Sequence, residues 1–469
     1  MAISKLKRRD KKINSIGENS QRVRKELIPP LFKHQEQLIE IAGKKSRFAF
    51  FAEPGTGKTR TGIEIYNNFP IKTLVVCPIN LIDSAWIDDS LKFKLKTTPV
   101  SLWASNRKKR LELIDSDWEF GIINFESFKL HVSEFEKLNI KRVIIDESSK
   151  IKAHGSQISK AVVNFVWTDS IQECYLLSGT PAPNNETEYY PQIKCLSETA
   201  FPKAYWAFRN RYFYQYGQQA WEWAKRKEMW QEFEDILINY SIFIKKADCL
   251  DLPDQVHIKR EVEMTKEQRI FYDTLADDWI VRHGDEITLA STALVEIMKL
   301  RQITAGFTIP LSGEAKFVSN RKLKELQNLT EEIGDEQIMV VCQFKYEIAK
   351  VVEMLGAEKC SQMHGGIPTA LRLEQINNFK CGTKKYMVCH PLSAGHGLTF
   401  VNCSYMVFMS QSYSYEEYFQ TCQRIHRAGQ TRKCTYYHIL AKDSVDEIIW
   451  KAVEKKEDLS RAILEKLKK

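Results

Sequence analysis

A run of six mostly apolar residues, RFAFFA at 47–52, passes directly into EPGTGKTR and then into a helix-periodic stretch, TGIEIYNNF. A buried strand, a glycine-rich turn and a helix in that order form a unit that only a parallel α/β sheet accommodates well. The turn also has the composition of a phosphate cradle. Gly55 and Gly57 let backbone N–H groups wrap around phosphate oxygens, and the helix N-terminus behind them adds its dipole. Lys58 is placed to reach the β- and γ-phosphates, and the Thr59 hydroxyl to bind Mg²⁺. The usual first glycine of such a loop is Ala52 in this chain.

Further short apolar runs follow the same logic. TLVVC (73–77), RVIIDE (142–147) and ECYLLSG (173–179) complete a first set; IMVVCQF (338–344), YMVCH (386–390), YMVFMS (405–410) and CTYYHIL (434–440) form a second. Runs of this length between amphipathic stretches predict buried parallel strands with crossover helices. Two sets predict two α/β lobes. Between them, 186–310 is aromatic, charged and helix-periodic, and LDLPDQ (250–255) reads as a turn or linker. The aromatic cluster at 205–230 reads mainly as packing within a protrusion, with base stacking as the alternative. The tail from Ser444 reads as one amphipathic helix with a Ser/Asp start.

Two further clusters carry chemistry. RVIIDESSK ends an apolar strand in Asp146–Glu147, at the sheet edge where ligands bind in such folds. Asp146 is the expected Mg²⁺ carboxylate, and Glu147 the expected orienter of an attacking water. Far downstream, QTCQRIHRAGQ (420–430) presents Arg424 and Arg427 at i,i+3, on one face if the segment is helical. Arginines in trans neutralise the charge that develops on a transferred phosphoryl group. His426 between them reads as a packed or hydrogen-bonding side chain. A phosphate loop near one end and an arginine pair near the other make sense if two lobes close over one triphosphate.

Composition narrows the class. The 469 residues are 43% hydrophobic, ample for several cores, and no apolar run approaches the ~18 residues of a membrane span. The N-terminus, MAISKLKRRDKK, lacks the apolar stretch of a secretory signal. The 11 cysteines are scattered without metal-ligand spacing, which points to a reducing compartment. The formal charge of +9 is concentrated in residues 1–28, with nine Lys or Arg against three acids. That arm suits either nucleic acid phosphates or a solvated tail.

The order of these motifs resembles superfamily 2 helicase-like ATPases, and specifically the Swi/Snf-type DNA translocases, over nearly all of Leu31–Lys469. CPINLIDSAW (77–86) resembles motif Ia, INFESF (123–128) motif Ib and SGTPAPNN (178–185) motif III. VVCQF (340–344) resembles motif IV, HGGIPTALRLEQINNF (364–379) the following segment, SAGHGLTF (393–400) motif V and QTCQRIHRAGQ motif VI. The ending HRxGQ is the most family-specific string. IFIKKADCLDLPDQ and MKLRQITAGF resemble the protrusion and linker segments of Swi/Snf motors. Three departures stand out: the acidic box reads DESS, His396 stands where glycine is usual, and Thr399 where asparagine is usual. With no appended bromodomain-like, zinc or nuclease segment, the chain looks like a phage or prokaryotic member.

The resemblance implies two RecA-like lobes with parallel sheets, helical protrusions between them and a C-terminal bracing helix. The expected division is a basic arm at 1–28, a first lobe at 29–185, protrusions and linker at 186–310, a second lobe at 311–445 and a terminal helix at 446–469. It implies ATP and Mg²⁺ held by Gln35 (the adenine reader of LFKHQEQL), Pro54, Gly55, Thr56, Gly57, Lys58, Thr59, Arg60 and Gly397. It implies DNA, double-stranded or branched, gripped at its phosphates by Asn80, Asn124, Thr180, Gln343, Ser393 and Gly395. The expected location is the cytoplasm, or the nucleus in a eukaryote, with no membrane partner. Three functions remain open on sequence: a translocase on double-stranded DNA, a strand-separating DNA or RNA helicase, and a catalytically silent DNA-binding scaffold.

Overall fold

The computed structural model describes residues 28–216, 222–249, 252–283, 290–309, 313–393 and 398–455. The arm through residue 27, Gly395, His396, Gly397 and residues 456–469 lie outside the described residues.

Strands are numbered along the chain. The first lobe holds β1 (Arg47–Ala52), β2 (Thr73–Cys77), β3 (Pro99–Ser101), β4 (Phe120–Asn124), β5 (Arg142–Asp146) and β6 (Glu173–Ser178). A hairpin, β7 (Phe213–Tyr216) and β8 (Glu222–Lys225), follows, and then β9 (Ser241–Ile244) and β10 (Gln255–Val262). Beyond a short pair, β11 (Phe307–Thr308) and β12 (Lys316–Phe317), come β13 (Ile338–Val341), β14 (Cys360–Met363), β15 (Tyr386–Cys389), β16 (Tyr405–Phe408) and β17 (Cys434–Ala441). Two sheets result, of seven strands in the order β3-β4-β2-β5-β6-β1-β9 and six in the order β10-β17-β16-β13-β15-β14. All pairings within both are parallel.

The central strands of each sheet are buried on both faces, which is why they read as apolar runs instead of alternating patterns. In the first lobe Ala49, Phe51, Leu74, Val76, Val143 and Ile145 pack on one face. Their chain neighbours Phe48, Phe50, Val75 and Ile144 pack on the other, with Tyr175. Met339, Val341, Met387 and Met406 divide from Ile338, Val340, Val388 and Val407 in the same way in the second lobe.

The eight apolar runs all form strands at the expected places, with ends that differ by at most three residues. The segment 186–310, read from sequence as protrusion and linker, also supplies β9 to the first sheet and β10 to the second. β10 is QVHIKREV, an edge strand alternating between exposed and half-buried residues, so it carries no apolar run to betray it. Much of the aromatic cluster of this segment is core, while Trp206 and Tyr214 are exposed. Phe208, Tyr212 and Phe233 are fully buried and pack on Tyr190 and Phe201 through ring contacts of about 4.7–5.6 Å.

A helix at Val445–Lys455 starts where expected, with Ser444 accepting from the Asp446 N–H at 3.2 Å. It packs against the helices Lys266–His283 and Ala290–Thr304 through Ile449, Val453, Ile297 and Leu300. Asp446 at its first turn is buried and accepts from Lys322 Nζ at 2.6 Å, Thr304 Oγ1 at 2.9 Å and the Ala441 N–H at 3.0 Å. Removing one member of a buried pair strands the other charge and costs about 3–5 kcal/mol. We therefore expect Lys322→Met to lower the unfolding midpoint of the second lobe in denaturant, and Asp446→Asn added to it to recover much of the loss. An unchanged midpoint in the single variant would refute the role given to this pair.

Candidate nucleotide site between the lobes

Three neighbouring strands bring the first lobe's chemistry together. β5, β6 and β1 are adjacent, with Asp146 opposite Leu177 and Phe51 opposite Ser178. The acidic box leaves β5, SGTPAPNN leaves β6 and the phosphate loop leaves β1, all at the carboxyl edge. Strands lie about 4.8 Å apart, so the three loops meet within about two strand spacings. Gly179 is the contact point: a Cβ there would stand 2.7 Å from Pro54 Cδ.

The phosphate loop is bent by Gly55 and Gly57, at φ +90° and +85°, a region costly for other residues. His34 Nε2 lies 2.7 Å from the Thr56 carbonyl, and Gln35 Nε2 donates to the Gly57 carbonyl at 3.1 Å. Gln35 Oε1 accepts from the Phe32 N–H at 3.0 Å. The upstream glutamine thus braces the loop with both ends of its amide. Lys58, half-buried, donates through Nζ to the Ala52 carbonyl at 2.9 Å, so the residue replacing the usual glycine supplies the lysine's backbone anchor. Arg60 turns away: its guanidinium donates to the Pro29 and Pro30 carbonyls and stands 4.6 Å over the Phe93 ring.

The carboxylates are held differently. Asp146 Oδ2 accepts from Trp86 Nε1 at 2.9 Å and Oδ1 from the Glu147 N–H at 3.0 Å. Burial and the Glu147 charge push the Asp146 carboxyl up to about 6, against the pull of Lys58. Glu147 sits at φ +54°, ψ +57°, left-handed for a residue that pays for it, and its buried Oε2 has no partner.

Arg424 and Arg427 differ from the helical reading. The helix Tyr415–Cys422 ends before them, and both sit on the turn that follows, closed by an Arg424 N–H to Thr421 carbonyl bond at 3.0 Å. Gly429 at φ +96° and the buried Gln430, donating to the Cys403 and Ile425 carbonyls, fix that turn. The pair still points together. Arg424 Nη1 and Arg427 Nη1 donate to the Leu398 carbonyl at 3.3 and 3.2 Å, and Arg427 also to Thr399 Oγ1 at 2.7 Å. Thr399, one of two unusual residues in SAGHGLTF, is therefore a support for Arg427. His426 is buried with Nε2 2.9 Å from the Pro253 carbonyl, as its packing reading requires.

One cavity of about 250 Å³ joins the two sets. Pro54, Gly55, Gly57, Lys58, Thr59, Asp146 and Glu147 line it from the first lobe, and Thr399, Arg424 and Arg427 from the second. A Cβ on Gly55 would lie 3.3 Å from Arg427 Cγ and Nε. Burial pushes Lys58, Arg424 and Arg427 down, and the Glu147 charge raises all three. A polyanion of triphosphate size matches this cavity in charge. Among the described residues no group of three or more His, Cys, Asp or Glu is spaced for a metal ion. The Thr59 hydroxyl and Asp146 carboxylate are oxygen donors of the kind that would suit Mg²⁺.

The remaining expected contacts follow the carboxyl ends of their strands. Asn80 is exposed after β2, Thr180 follows β6, Ser393 follows β15, and Gln343 follows β13 with Nε2 donating to Glu417 Oε1 at 3.0 Å. Asn124 is buried at the end of β4 and donates to Glu126 Oε2 at 3.0 Å. Sequence reasoning missed Lys246, just after β9. Its Nζ is buried and donates to the His426 carbonyl at 2.8 Å, while its N–H donates to Glu53 Oε2 at 2.9 Å. Burial and the Arg427 charge lower it to about 7. IFIKKADCLDLPDQ held the residue, but nothing in that string marks it as touching the arginine turn.

The SNF2-related domain profile matches residues 3–307, and the helicase conserved C-terminal domain profile residues 321–429. The chain belongs to the SNF2-related family. It is a helicase-like, nucleic-acid-dependent ATPase that binds nucleotide. Putative protein p41 of Acyrthosiphon pisum secondary endosymbiont phage 1 is 22% identical to this SNF2-related chain over 93% of it and 98% of its own length. Xenopus laevis SWI/SNF-related matrix-associated actin-dependent regulator of chromatin subfamily A-like protein 1 is 24% identical over 92% of the chain and 44% of its own. Human DNA annealing helicase and endonuclease ZRANB3 is 23% identical over 94% and 41%. The chain spans less than half the length of these last two relatives. A solved structure titled Sulfolobus solfataricus SWI2/SNF2 ATPase core in complex with dsDNA aligns over 94% of each chain, at 18% identity and a TM-score of 0.44. No helix among the described residues is long and apolar enough to cross a membrane.

The loop geometry generates a direct test. An alanine at position 57 would drive its Cβ into Gln35 Nε2 in a left-handed backbone that costs it roughly 1–2 kcal/mol. Since about 1.4 kcal/mol is tenfold in affinity, Gly57→Ala should weaken fluorescent-nucleotide binding by about tenfold or more. Adding Gln35→Ala should relieve only the steric part. Wild-type affinity in Gly57→Ala would show that the loop does not need this conformation to bind.

Proposed function

We propose that this SNF2-related ATPase is a translocase on double-stranded DNA, driven by ATP hydrolysed in the cavity between its lobes. The observation that carries the reading is the cavity's dual ownership: Lys58 and Glu147 come from one lobe, Arg424 and Arg427 from the other. Such a site is complete only when the lobes are together, so the nucleotide cycle and lobe closure are one event.

The proposed roles follow from position and charge. Gly55, Thr56 and Gly57 offer backbone N–H groups to the phosphates, Pro54 shapes the loop, and Lys58 moves from the Ala52 carbonyl to the β- and γ-oxygens. Thr59 and Asp146 would hold a Mg²⁺ ion, which when bound would supply positive charge to the phosphates. Glu147 orients a water whose oxygen attacks the γ-phosphorus as the bond to the bridging oxygen breaks, giving ADP and phosphate. Arg424 and Arg427 stabilise the charge on the departing group. Gln35 serves by bracing the loop, with one donor and one acceptor left for a base; Arg60 serves the fold.

The double-stranded DNA in this reading is supported by the motif order and by the titles of relatives that name DNA annealing and chromatin regulation. Asn80, Asn124, Thr180, Gln343 and Ser393 stand at the carboxyl edges of their sheets, beside the nucleotide loops, where phosphate contacts would couple to closure. The proposed division keeps a first lobe at 29–185 and a second at 311–445, with β9 and β10 returning from 186–310 to complete the two sheets.

The test is ATP turnover with duplex DNA, single-stranded DNA and RNA, with Lys58→Ala as control, followed by triplex-strand displacement on duplex DNA. Greatest stimulation by duplex, with displacement, supports the proposal. Preference for single strands points to a strand-separating helicase, and absence of turnover with every nucleic acid to a silent scaffold. In the same assay Glu147→Gln should bind ATP without hydrolysing it. Arg427→Ala should lose on the order of 10³ in turnover while remaining folded. A loss below about tenfold would remove Arg427 from the role of arginine finger.

A further inference from the structure

Glu147 depends on its backbone for its aim, because the buried Oε2 has no partner and the φ angle is left-handed. What fixes that backbone is the short turn behind it, Ser148–Ile151. The two serines of the unusual DESS box anchor this turn in opposite directions. Ser148 Oγ donates to Gln192 Oε1 at 2.7 Å, and Gln192 Nε2 donates to the Pro181 carbonyl at 2.7 Å, all on the first lobe's side of the seam. Gln192 stands on the helix Tyr189–Leu196, which packs beneath that lobe's sheet. Ser149 Oγ donates across the seam to Glu416 Oε1 at 3.0 Å. Glu416 Oε2 accepts in turn from Lys152 Nζ at 3.1 Å, a lysine also 3.9 Å from Glu188.

We propose that Glu416 is a positioning residue for hydrolysis: from the second lobe it holds the turn behind Glu147, and so makes the water-orienting geometry conditional on closure. The proposal rests on the reading of Glu147 as the water-orienting carboxylate. Glu416 stands in the first turn of the helix Tyr415–Cys422, whose Ser414 cap accepts from the Glu417 N–H at 3.2 Å. The same helix runs on into the turn bearing Arg424 and Arg427. One rigid element thus delivers the arginines to the phosphate loop and Glu416 to the acidic box. A displacement of the second lobe that withdraws the arginines also releases Ser149 and Lys152. The helix has a third tie, since Glu417 accepts from Gln343 Nε2 at the edge proposed to meet DNA. A serine needs an acceptor brought close to its short side chain, and here the other lobe provides it.

Misplacing a reacting group by about 1 Å costs up to roughly 10²-fold in rate. Glu416→Ala should therefore lower kcat at saturating duplex DNA by about 10- to 100-fold while the Kd for ATP stays at the wild-type value. Glu416→Gln keeps the acceptor for Ser149 and should retain intermediate activity. Ser149→Ala, a change inside the first lobe, should lower kcat without changing ATP affinity and serves should Glu416→Ala fold poorly. Full kcat in Glu416→Ala beside an inactive Glu147→Gln overturns the proposal and leaves the role of Glu147 intact. A weakened ATP Kd with unchanged kcat also overturns it. Normal turnover in Glu147→Gln removes the reading on which it rests.

Discussion

The structure turns on a seam of charges that neither lobe satisfies by itself. Lys58, Arg424 and Arg427 face Asp146 and Glu147 in one cavity between the lobes, and each cation is lowered by its own desolvation and raised by Glu147. Desolvating an ion costs several kcal/mol after relaxation, so cations gathered this closely need anionic company. The two carboxylates supply part of it. Carbonyl oxygens of Ala52 and Leu398 supply more, each accepting from a cation aimed into the cavity. A triphosphate brings further negative charge and would take these bonds over, which gives the lobes an electrostatic reason to close on it.

Parallel-sheet geometry explains why so much of the lobes could be read from residues alone. Strands buried on both faces must be apolar throughout, and the eight runs from RFAFFA to CTYYHIL are strands for that reason. Elements escaping this rule were invisible. β10 alternates exposed and half-buried residues at a sheet edge, and β9 reaches the first sheet only after a helical excursion of about 60 residues. The arginines show a second kind of gap. Spacing of i,i+3 reads as a helix face, yet Gly429 and the Gln430 side chain shape a turn there. The two guanidinium groups converge because both find the Leu398 carbonyl, a partner distant in sequence.

Departures from the family pattern become legible only in three dimensions. Ala52 contributes its carbonyl to Lys58, a service any residue performs, so the missing glycine leaves the anchor intact. Thr399 replaces an amide with a hydroxyl that still accepts from Arg427. The second serine of DESS finds its acceptor across the seam, on a helix that no local pattern connects to the acidic box. In each case the chemistry needed is one hydrogen-bond partner at one place, and residue identity is free to vary around it.

The second lobe must be stiff for any of this to transmit motion. Its stiffness comes from a buried polar network beneath β13 and β16. Glu347, raised to about 7 by burial, accepts from Ser410 Oγ at 2.6 Å and from the Gln343 N–H at 3.1 Å. Lys322 donates to the Met409 carbonyl at 2.9 Å and to Asp446, which also holds Thr304. Arg301 reaches the Gln411 carbonyl from the helix Ala290–Thr304. The network therefore ties that helix, the helix Arg321–Ile333, the loop bearing Gln343 and the terminal helix into one block. A buried network of this kind tolerates few alternative arrangements, since any shift leaves polar groups unpaired in low dielectric. Any movement is then left to the seam, where the loops of the first lobe meet the arginine turn of the second across one cavity.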